Sequence, residues 1–476
     1  MNTTLFDPEI DVAAAAAKLR DEVARRHLPS ARFARLGELC ANWQHAHHEK
    51  ADVRNRSAAA ALLATPNAQA RRRRGVGASH RQFVFVTPWY GHFAGGAEVA
   101  ARSFAQQLAR RGCDVEVLTT CCRDPYESWW QNTLPPDTEE IEGVTVRRFP
   151  VNTEGEATFH ALNARHLSGQ PLTEDEQRTF VRHTINSDKL VEYAARHTAH
   201  KTVIALPYTQ GLVHSLLARL AGHACLMSCL HDEPQLVWAT TAESLSHARR
   251  IFFLTAEEKS LAIRHYGQRL GRALVEAPVV GVGSEIAADI QALLDDPHQI
   301  DVRLAAYQLP PRYFVYVGRK DVGKNVPRLV EQFRSYRAQG GQASLVFLGG
   351  GVPELVPSES GLRDLGFVPE ADKTAIIARA MGLINLSENE SFSLAIMEAW
   401  LCRVPVIVSS GCETTAAHCH KSGGGIAVDG NAEFVATLRA FESASLRSAL
   451  GWAGHQYARH HYGWDSVVDR LMRGAA

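Results

Sequence analysis

The stretch Glu390-Ser391-Phe392-Ser393-Leu394-Ala395-Ile396-Met397-Glu398 sets two carboxylates eight positions apart. On one continuous helix they would be turned about 80° from each other and lie ~12 Å apart along the axis. That is poor geometry for sharing a proton or a metal ion. With Glu390 in a loop ahead of the helix, both can instead line one elongated ligand. The neighbouring pattern supports this arrangement. Met381-Gly382-Leu383-Ile384-Asn385-Leu386-Ser387 reads as a buried strand ending in a polar loop. Leu394, Met397 and Leu401 recur at helical spacing, and Ser393 suits the N-cap. The unit is strand, loop, helix, with the positive end of the helix facing the loop. A phosphate-bearing ligand could lie there, gripped by carboxylates where it carries hydroxyls.

Other residues could serve the same ligand. Tyr316-Val317-Gly318-Arg319-Lys320-Asp321-Val322-Gly323-Lys324-Asn325 ends a strand at Gly318 and projects Arg319 and Lys324 beyond it. Two cations beside a tight turn suit a diphosphate, each charge-assisted hydrogen bond being worth about 1.5–3 kcal/mol. A solvated strand-to-helix loop is the plainer account of a lone Arg or Lys. It weakens here because the helix start near Ser393 belongs to the same sheet. Gly95-Gly96 precedes the first helix without the spacing of a dinucleotide fingerprint. Amides freed there could approach an anion closely, or the pair could simply make a turn. His231-Asp232-Glu233-Pro234 follows an apolar strand. Among 22 histidines a structural role is the ordinary one, and the strand-end position singles this one out. Gly349-Gly350-Gly351 ends another strand and either meets a nucleotide base or makes a turn.

The elements that must position these residues are those of a doubly wound α/β protein. Strands are expected at Phe83–Val86, Asp114–Leu118, Val144–Phe149, Thr202–Leu206, Cys225–Leu230 and Ile251–Leu254, with the charged Val144–Phe149 at an edge. A helix over about 97–111 should stop at Gly112. A second series has strands Tyr313–Val317, Ser344–Leu348, Gly382–Leu386 and Pro405–Ser409, with helices near 326–338, 371–380, 393–402 and 431–443. Cys412, His418, Cys419 and His420 fit no standard zinc spacing and read as a loop. The tail from about Leu446 to Met472 is helical and contains Trp464.

With 476 residues, 45% of them hydrophobic, 21% charged and no net formal charge, the chain has an ordinary globular composition that excludes a basic nucleic-acid binder. No apolar run spans a bilayer and the start lacks a signal-peptide pattern. The nine scattered cysteines suit a reduced, cytoplasmic protein. Residues 1–80 form an Ala- and Arg-rich helical extension and a basic linker with Arg71–Arg74. The expected domains are 81–285, 286–455 and a C-terminal helix, 456–476, packing back on the first.

Taken together, from about residue 82 onwards, the chain resembles the GT-B retaining glycosyltransferases of family 4. Glu390 to Glu398 resembles the family's E-x7-E, and Gly318, Arg319 and Lys324 its G-R-x-x-x-x-K. A Gly-Gly loop and a strand-tip His complete the set. Trp89-Tyr90-Gly91 to Gly95-Gly96-Ala97-Glu98 and Leu230-His231-Asp232-Glu233 look like members that build bacterial surface polysaccharides. The resemblance implies two Rossmann-like domains facing a central cleft, 81–285 binding the acceptor and 286–455 the nucleotide-sugar donor, and transfer of a hexose from a GDP- or UDP-linked sugar to a glycan or lipid-linked acceptor, with no metal and no cofactor. Arg319 and Lys324 would hold and stabilise the leaving diphosphate. Glu390 would bind the donor sugar, Glu398 the ribose, and His231 would sit at the reacting centre. Gly96 would contact phosphate or acceptor. Gly318, Gly350, Ser391, Phe392, Ser393 and Leu394 would complete the donor site.

Ser391 and Ser393 stand where the family has glycine, which narrows the pocket and leaves donor identity open. The alternative is a non-catalytic sugar-nucleotide-binding subunit supporting another transferase. An NAD-dependent oxidoreductase is a third reading, and the missing glycine fingerprint argues against it. Arg71–Arg74 would allow peripheral contact with the inner face of a membrane.

Overall fold

The computed structural model describes residues 81–91 and 95–475. They divide into two compact units. One comprises 81–285, Asn389–Leu394 and 460–475. The other comprises Ile286–Glu388 and Ala395–Arg459. The helical extension and basic linker expected over residues 1–80 lie outside the described residues.

Apolar runs buried on both faces build the sheet of the first unit. Its strands are β1 (Gln82–Val86), β2 (Asp114–Thr120), β3 (Thr138–Ile141), β4 (Val144–Phe149), β5 (Thr202–Ala205), β6 (Cys225–Met227) and β7 (Ile251–Phe252). They lie in the order β3-β4-β2-β1-β5-β6-β7, all parallel except β3 against β4. β4 is therefore not the edge strand expected from its charges. β3 pairs outside it, and the charges are used across strands: Arg148 meets Glu139 at 2.5 Å and Arg147 meets Glu116 at 3.2 Å. Helices α1 (Gly96–Arg110), α2 (Glu156–Leu167), α3 (Glu174–Arg182), α4 (Asp188–His197), α5 (Gly211–Arg219), α6 (Ala239–His247) and α7 (Ala256–Val275) connect and cover the strands. Gly112 takes φ 82° just past α1, the left-handed conformation that ends helices without cost to glycine. Around α2 and α3 a smaller core gathers Trp130, Phe159, Phe180 and Trp238, with Trp129 packed against it.

The second unit is also doubly wound. After α8 (Ala288–Leu294) and α9 (Pro297–Leu304) come β8 (Tyr313–Val317), α10 (Val326–Ala338), β9 (Ser344–Leu348), β10 (Leu362–Asp364), α11 (Glu370–Arg379), β11 (Leu383–Asn385), α12 (Leu394–Leu401), β12 (Val406–Ser409), α13 (Glu413–Ser422), β13 (Gly425–Val428), α14 (Gly430–Ala440) and α15 (Ala444–Tyr462). The order β10-β9-β8-β11-β12-β13 is parallel throughout. The Cys412–His420 stretch, expected as a loop, instead supplies the N-cap, Cys412, and most of helix α13; Cys412 and Cys419 are both buried. The helical tail breaks at Gly463, and α16 (Trp464–Ala475) belongs to the first unit. There Trp464 meets Phe104 edge-on at 5.3 Å, and Arg470 donates to the Val280 carbonyl at 2.9 Å.

Trp400 on α12 is fully buried and donates to the Gly424 carbonyl at 2.8 Å. Its ring fills the space a side chain at Gly454 would need, since a Cβ there would lie 2.1 Å from the ring. Gly454→Ala should destabilise this unit by about 1–3 kcal/mol through overpacking. Urea denaturation followed by far-UV circular dichroism measures it.

Candidate active site

In the second unit the chain runs from β8 outwards to β9 and β10 on one side, then returns to β11 on the other. Strand order reverses between β8 and β11, so the loops after these two strands diverge around a crevice at their carboxyl ends. Arg319 and Lys324 lie on the first loop. Asp321 organises it: its carboxylate pairs with the Arg319 guanidinium and accepts from the Lys324 backbone N–H at 2.7 Å. Asn325, at φ 59°, donates from its side chain to the Leu386 carbonyl at 3.1 Å, and Arg328 meets Glu388 at 3.0 Å. The two loops are thus stitched together. The Arg319 side chain is 54% exposed. An exposed pair of this kind is worth about 0–1 kcal/mol, so an incoming diphosphate can replace Asp321 as its partner.

The glycines after β9 serve close packing. A Cβ on Gly349 would lie 2.3 Å from the Gly318 carbonyl oxygen, and one on Gly351 2.3 Å from that of Lys320. Both residues have positive φ, 115° and 116°. A Cβ on Gly350 would strike the Phe367 ring at 2.5 Å. Beneath them Lys320 is buried and held by both oxygens of Asp364 at 2.6 Å. Glu398 on α12 accepts from Lys373 Nζ at 2.9 Å, and Lys373 also meets Glu370 at 3.0 Å. Although 30% of the Glu398 side chain is exposed, the protein packed around its carboxyl raises the pKa, and Lys373 opposes the rise.

In the first unit, β6 stops at Met227 and the chain turns through Cys229, at φ 55°, to His231. The apolar run Cys225–Leu230 is thus only half strand. The cause is Glu258, a buried carboxylate in the first turn of α7. It accepts from Ser228 Oγ at 2.7 Å, from the Leu230 N–H at 2.6 Å and from the Leu254 N–H at 2.5 Å. Three donors from the tips of β6 and β7 are captured by one group, and His231 follows directly. Its Nδ1 lies 3.6 Å from Glu233 Oε1. Thr255, the N-cap of α7, accepts from the Glu258 N–H at 3.1 Å and donates to the Ser391 carbonyl at 3.2 Å. Phe392 packs edge-on to Tyr462 at 4.9 Å. The segment carrying Glu390 is therefore tied, through Thr255 and Glu258, to the turn carrying His231.

Ser393 precedes α12 with φ 71°, not the extended backbone of an ordinary N-cap. This is a conformation glycine adopts freely and serine at a cost. Gly95 is the residue before α1, and a Cβ on it would lie 1.9 Å from Glu98 Oε2. The helix end beside Gly96 is thus already faced by a carboxylate. A Cβ on Gly96 itself would meet nothing within 4 Å.

Residues 311–441, which include Arg319, Lys324, Glu390 and Glu398, match the family model described as glycosyl transferases group 1. Two curated relatives are D-inositol 3-phosphate glycosyltransferases. That of Thermomonospora curvata is 26% identical over 418 residues, covering 80% of this chain and 90% of the relative. That of Rhodococcus opacus is 28% identical over 426 residues, covering 80% and 85%. Among solved structures, a trehalose-6-phosphate synthase aligns with a TM-score of 0.63 at 12% identity, over 83% of this chain and 98% of that one. An Anabaena protein in complex with UDP and glucose aligns with a TM-score of 0.58 at 15% identity, over 83% and 99%.

Residues 311–441 of this chain form a group 1 glycosyltransferase domain. The chain's two Rossmann-like units are those of the GT-B fold. In this glycosyltransferase the sequence motifs locate the loops, but they miss the residues that hold them. Asp321, Asn325, Lys373 and Thr255 carry no motif of their own. Glu258 does leave a signal: Thr255-x-x-Glu258 is a capping-box spacing. Its carboxylate, however, bonds Leu254 and Leu230 rather than the Thr255 N–H.

Burial pushes the Glu258 carboxyl from 4.5 up to about 7, against the hydrogen bonds from Ser228, Leu254 and Leu230 and the nearby His231. A raised carboxylate pKa means that the folded enzyme holds this proton more tightly than the unfolded chain. The group's stabilising contribution is therefore fullest below the unfolded value and is lost as pH rises through the folded one. The slope is at most about 1.4 kcal/mol per pH unit in that window. Glu258→Gln should flatten the fall in melting temperature between about pH 4.5 and pH 7 relative to wild type. Parallel curves for the two proteins would show that Glu258 titrates elsewhere.

Proposed function

We propose that this glycosyltransferase moves a hexose from a nucleoside diphosphate sugar to a glycan or lipid-linked acceptor with retention of anomeric configuration, as family 4 enzymes of polysaccharide assembly do. The hydrogen-bonded path from Ser391 through Thr255 and Glu258 to the His231 turn carries the most weight. It gives the Glu390 segment and His231 a common anchor, as residues serving one reacting centre require. Two solved neighbours support a UDP-linked donor. One is described as bound with UDP-2-fluoro glucose and the other as in complex with UDP and glucose.

In this reading Arg319 leaves Asp321 for the diphosphate, joined by Lys324, and together they stabilise the charge that grows on the leaving oxygen. These two cations supply what a metal ion would otherwise provide. Glu390 accepts hydroxyls of the donor sugar, Glu398 accepts those of the ribose, and Lys373 keeps Glu398 oriented. Gly318 and Gly350 let backbone approach the nucleotide, while Ser391, Phe392, Ser393 and Leu394 shape the wall around the sugar. His231 sits at the transferred carbon. With Glu98 facing its helix end, Gly96 is better suited to an acceptor hydroxyl than to phosphate.

The protein would work in the cytoplasm, with Arg71–Arg74 touching an anionic membrane. Each such charge gains about 1 kcal/mol near the surface, and changing all four to Ser should reduce co-sedimentation with phosphatidylglycerol vesicles. Lys324→Ala should lower transfer from a panel of sugar nucleotides by at least ~100-fold with an unchanged melting temperature, removal of one preorganised donor costing about 2.7–4 kcal/mol. Glu390→Gln should lower it by at least ~10-fold, the loss of hydrogen bonds to a charged acceptor worth about 1.5–3 kcal/mol each. NMR of the product should show the donor's anomeric configuration. Inversion, or near-normal turnover in either variant, would refute the assignment.

A further inference from the structure

The loops that follow β2, β5 and β6, together with α2 and α3, enclose a cavity of about 670 Å³ within the first unit. That lies inside the ~300–1,000 Å³ range of small-molecule sites. Its wall is aromatic. Trp129, Trp130, Phe159, Phe180 and Trp238 contribute to it, and Tyr126, 51% exposed, stands at the rim. An aromatic core alone would explain the rings but not the polar atoms between them. Glu127 Oε2, Gln210 Oε1 and Gln235 Oε1 all belong to lining residues, are buried, and have no hydrogen-bond partner among the described residues. Such orphaned groups are uncommon and call for a bound partner. All three are acceptors, so the missing partner is a donor.

Charge narrows the choice. The lining holds Glu127, Glu156 and Glu233 but no lysine or arginine. Arg123 pairs at 3.2 Å with the other oxygen of Glu127 and is not part of the wall. The imidazoles on the wall do not change this balance: burial lowers the His214 pKa to about 4 and keeps it neutral, and His160 lies 3.9 Å from Glu156. A phosphate placed here would meet carboxylates without a lysine or arginine to offset them. The cavity also leads towards the candidate site. Glu233, on its lining, accepts from Tyr208 at 2.6 Å and lies beside His231 Nδ1.

We propose that this cavity is the acceptor site and that it takes an uncharged saccharide. The apolar faces of the pyranose rings stack on the tryptophans, and ligand hydroxyls donate to Glu127, Gln210 and Gln235. The word acceptor rests on the transfer proposed above, whereas binding of an uncharged saccharide does not. The curated relatives are named for D-inositol 3-phosphate, a phosphorylated compound, so the proposal separates this chain from them by ligand class.

The test is equilibrium binding to the full chain without nucleotide, read by tryptophan fluorescence. Methyl glucoside, maltose, cellobiose and lactose are titrated against glucose 6-phosphate and inositol 1-phosphate. At least one uncharged saccharide should saturate, and the phosphorylated probes should bind about tenfold more weakly or not at all. Trp129→Ala and Gln235→Ala should each weaken saccharide binding by about tenfold or somewhat less, the loss of one stacking surface or one hydrogen bond. Gln235→Ala is the milder change and keeps the test valid if Trp129→Ala melts early. A phosphorylated probe binding as tightly as its uncharged counterpart, no saturable response to any saccharide, or affinities unchanged in both variants would each overturn the proposal. Saccharide binding without transfer would instead condemn the transferase reading and leave this site standing.

Discussion

One buried carboxylate sets the geometry at the tips of two adjacent strands in the first unit, β6 and β7, where the candidate residue His231 follows. Glu258 takes three hydrogen bonds, two from backbone amides and one from Ser228, and so gathers the tips of β6 and β7 at one point. Hydrogen bonds to a charged group are each worth about 1.5–3 kcal/mol, and burial works against the charge that makes them strong. The balance leaves a group that is tightly engaged yet titrates near neutrality. The bend at Cys229 and the placement of His231 trace to it, while the backbone N–H of the same residue holds Thr255, which anchors Ser391. Without it, the Leu230 and Leu254 amides would lose this acceptor in a buried setting, and Ser228 would keep only its longer bond to the Phe252 carbonyl at 3.4 Å.

The second unit reaches the same end by other means. Its two candidate loops leave adjacent strands at the point where strand order reverses, and Asp321 and Asn325 then fix their shapes. Packing supports the arrangement from below. Gly349 and Gly351 allow β9 to close on the end of β8, and Trp400 locks α12, the helix that carries Glu398.

Much of this was legible in the sequence. Continuous apolar runs announce buried parallel strands, and the order of the motifs announces two α/β series. The misreadings have physical causes. Cys225–Leu230 is apolar but for Ser228, and that one hydroxyl does not reveal that Glu258, some thirty positions on, removes the last residues from the ladder. β13, Gly425–Val428, is four residues long and starts on glycine, which hides it. Helix α13 is rich in Cys, His and Thr, and it forms because its buried face packs against β12 and β13. The lining of the aromatic cavity comes from five separate stretches of chain, and only the adjacent pair Trp129-Trp130 hints at it. Ser391 and Ser393 were legible as departures from glycine. That Ser393 retains glycine's backbone conformation was not, since φ is not written in a side chain.

The placement of α2 and α3 bears on how such a protein can change over time. A doubly wound unit needs one helix to cross from β4 to β5, and here there are three, α2, α3 and α4. The two extra helices carry half of the smaller aromatic core and touch the sheet's own core little. Substitutions in them can alter what the cavity admits without disturbing the strands, the Glu258 anchor or the loops of the second unit. The lining of the cavity can therefore drift while the rest of the fold stays fixed, so that the part of the chain open to change is separated from the part that holds it together.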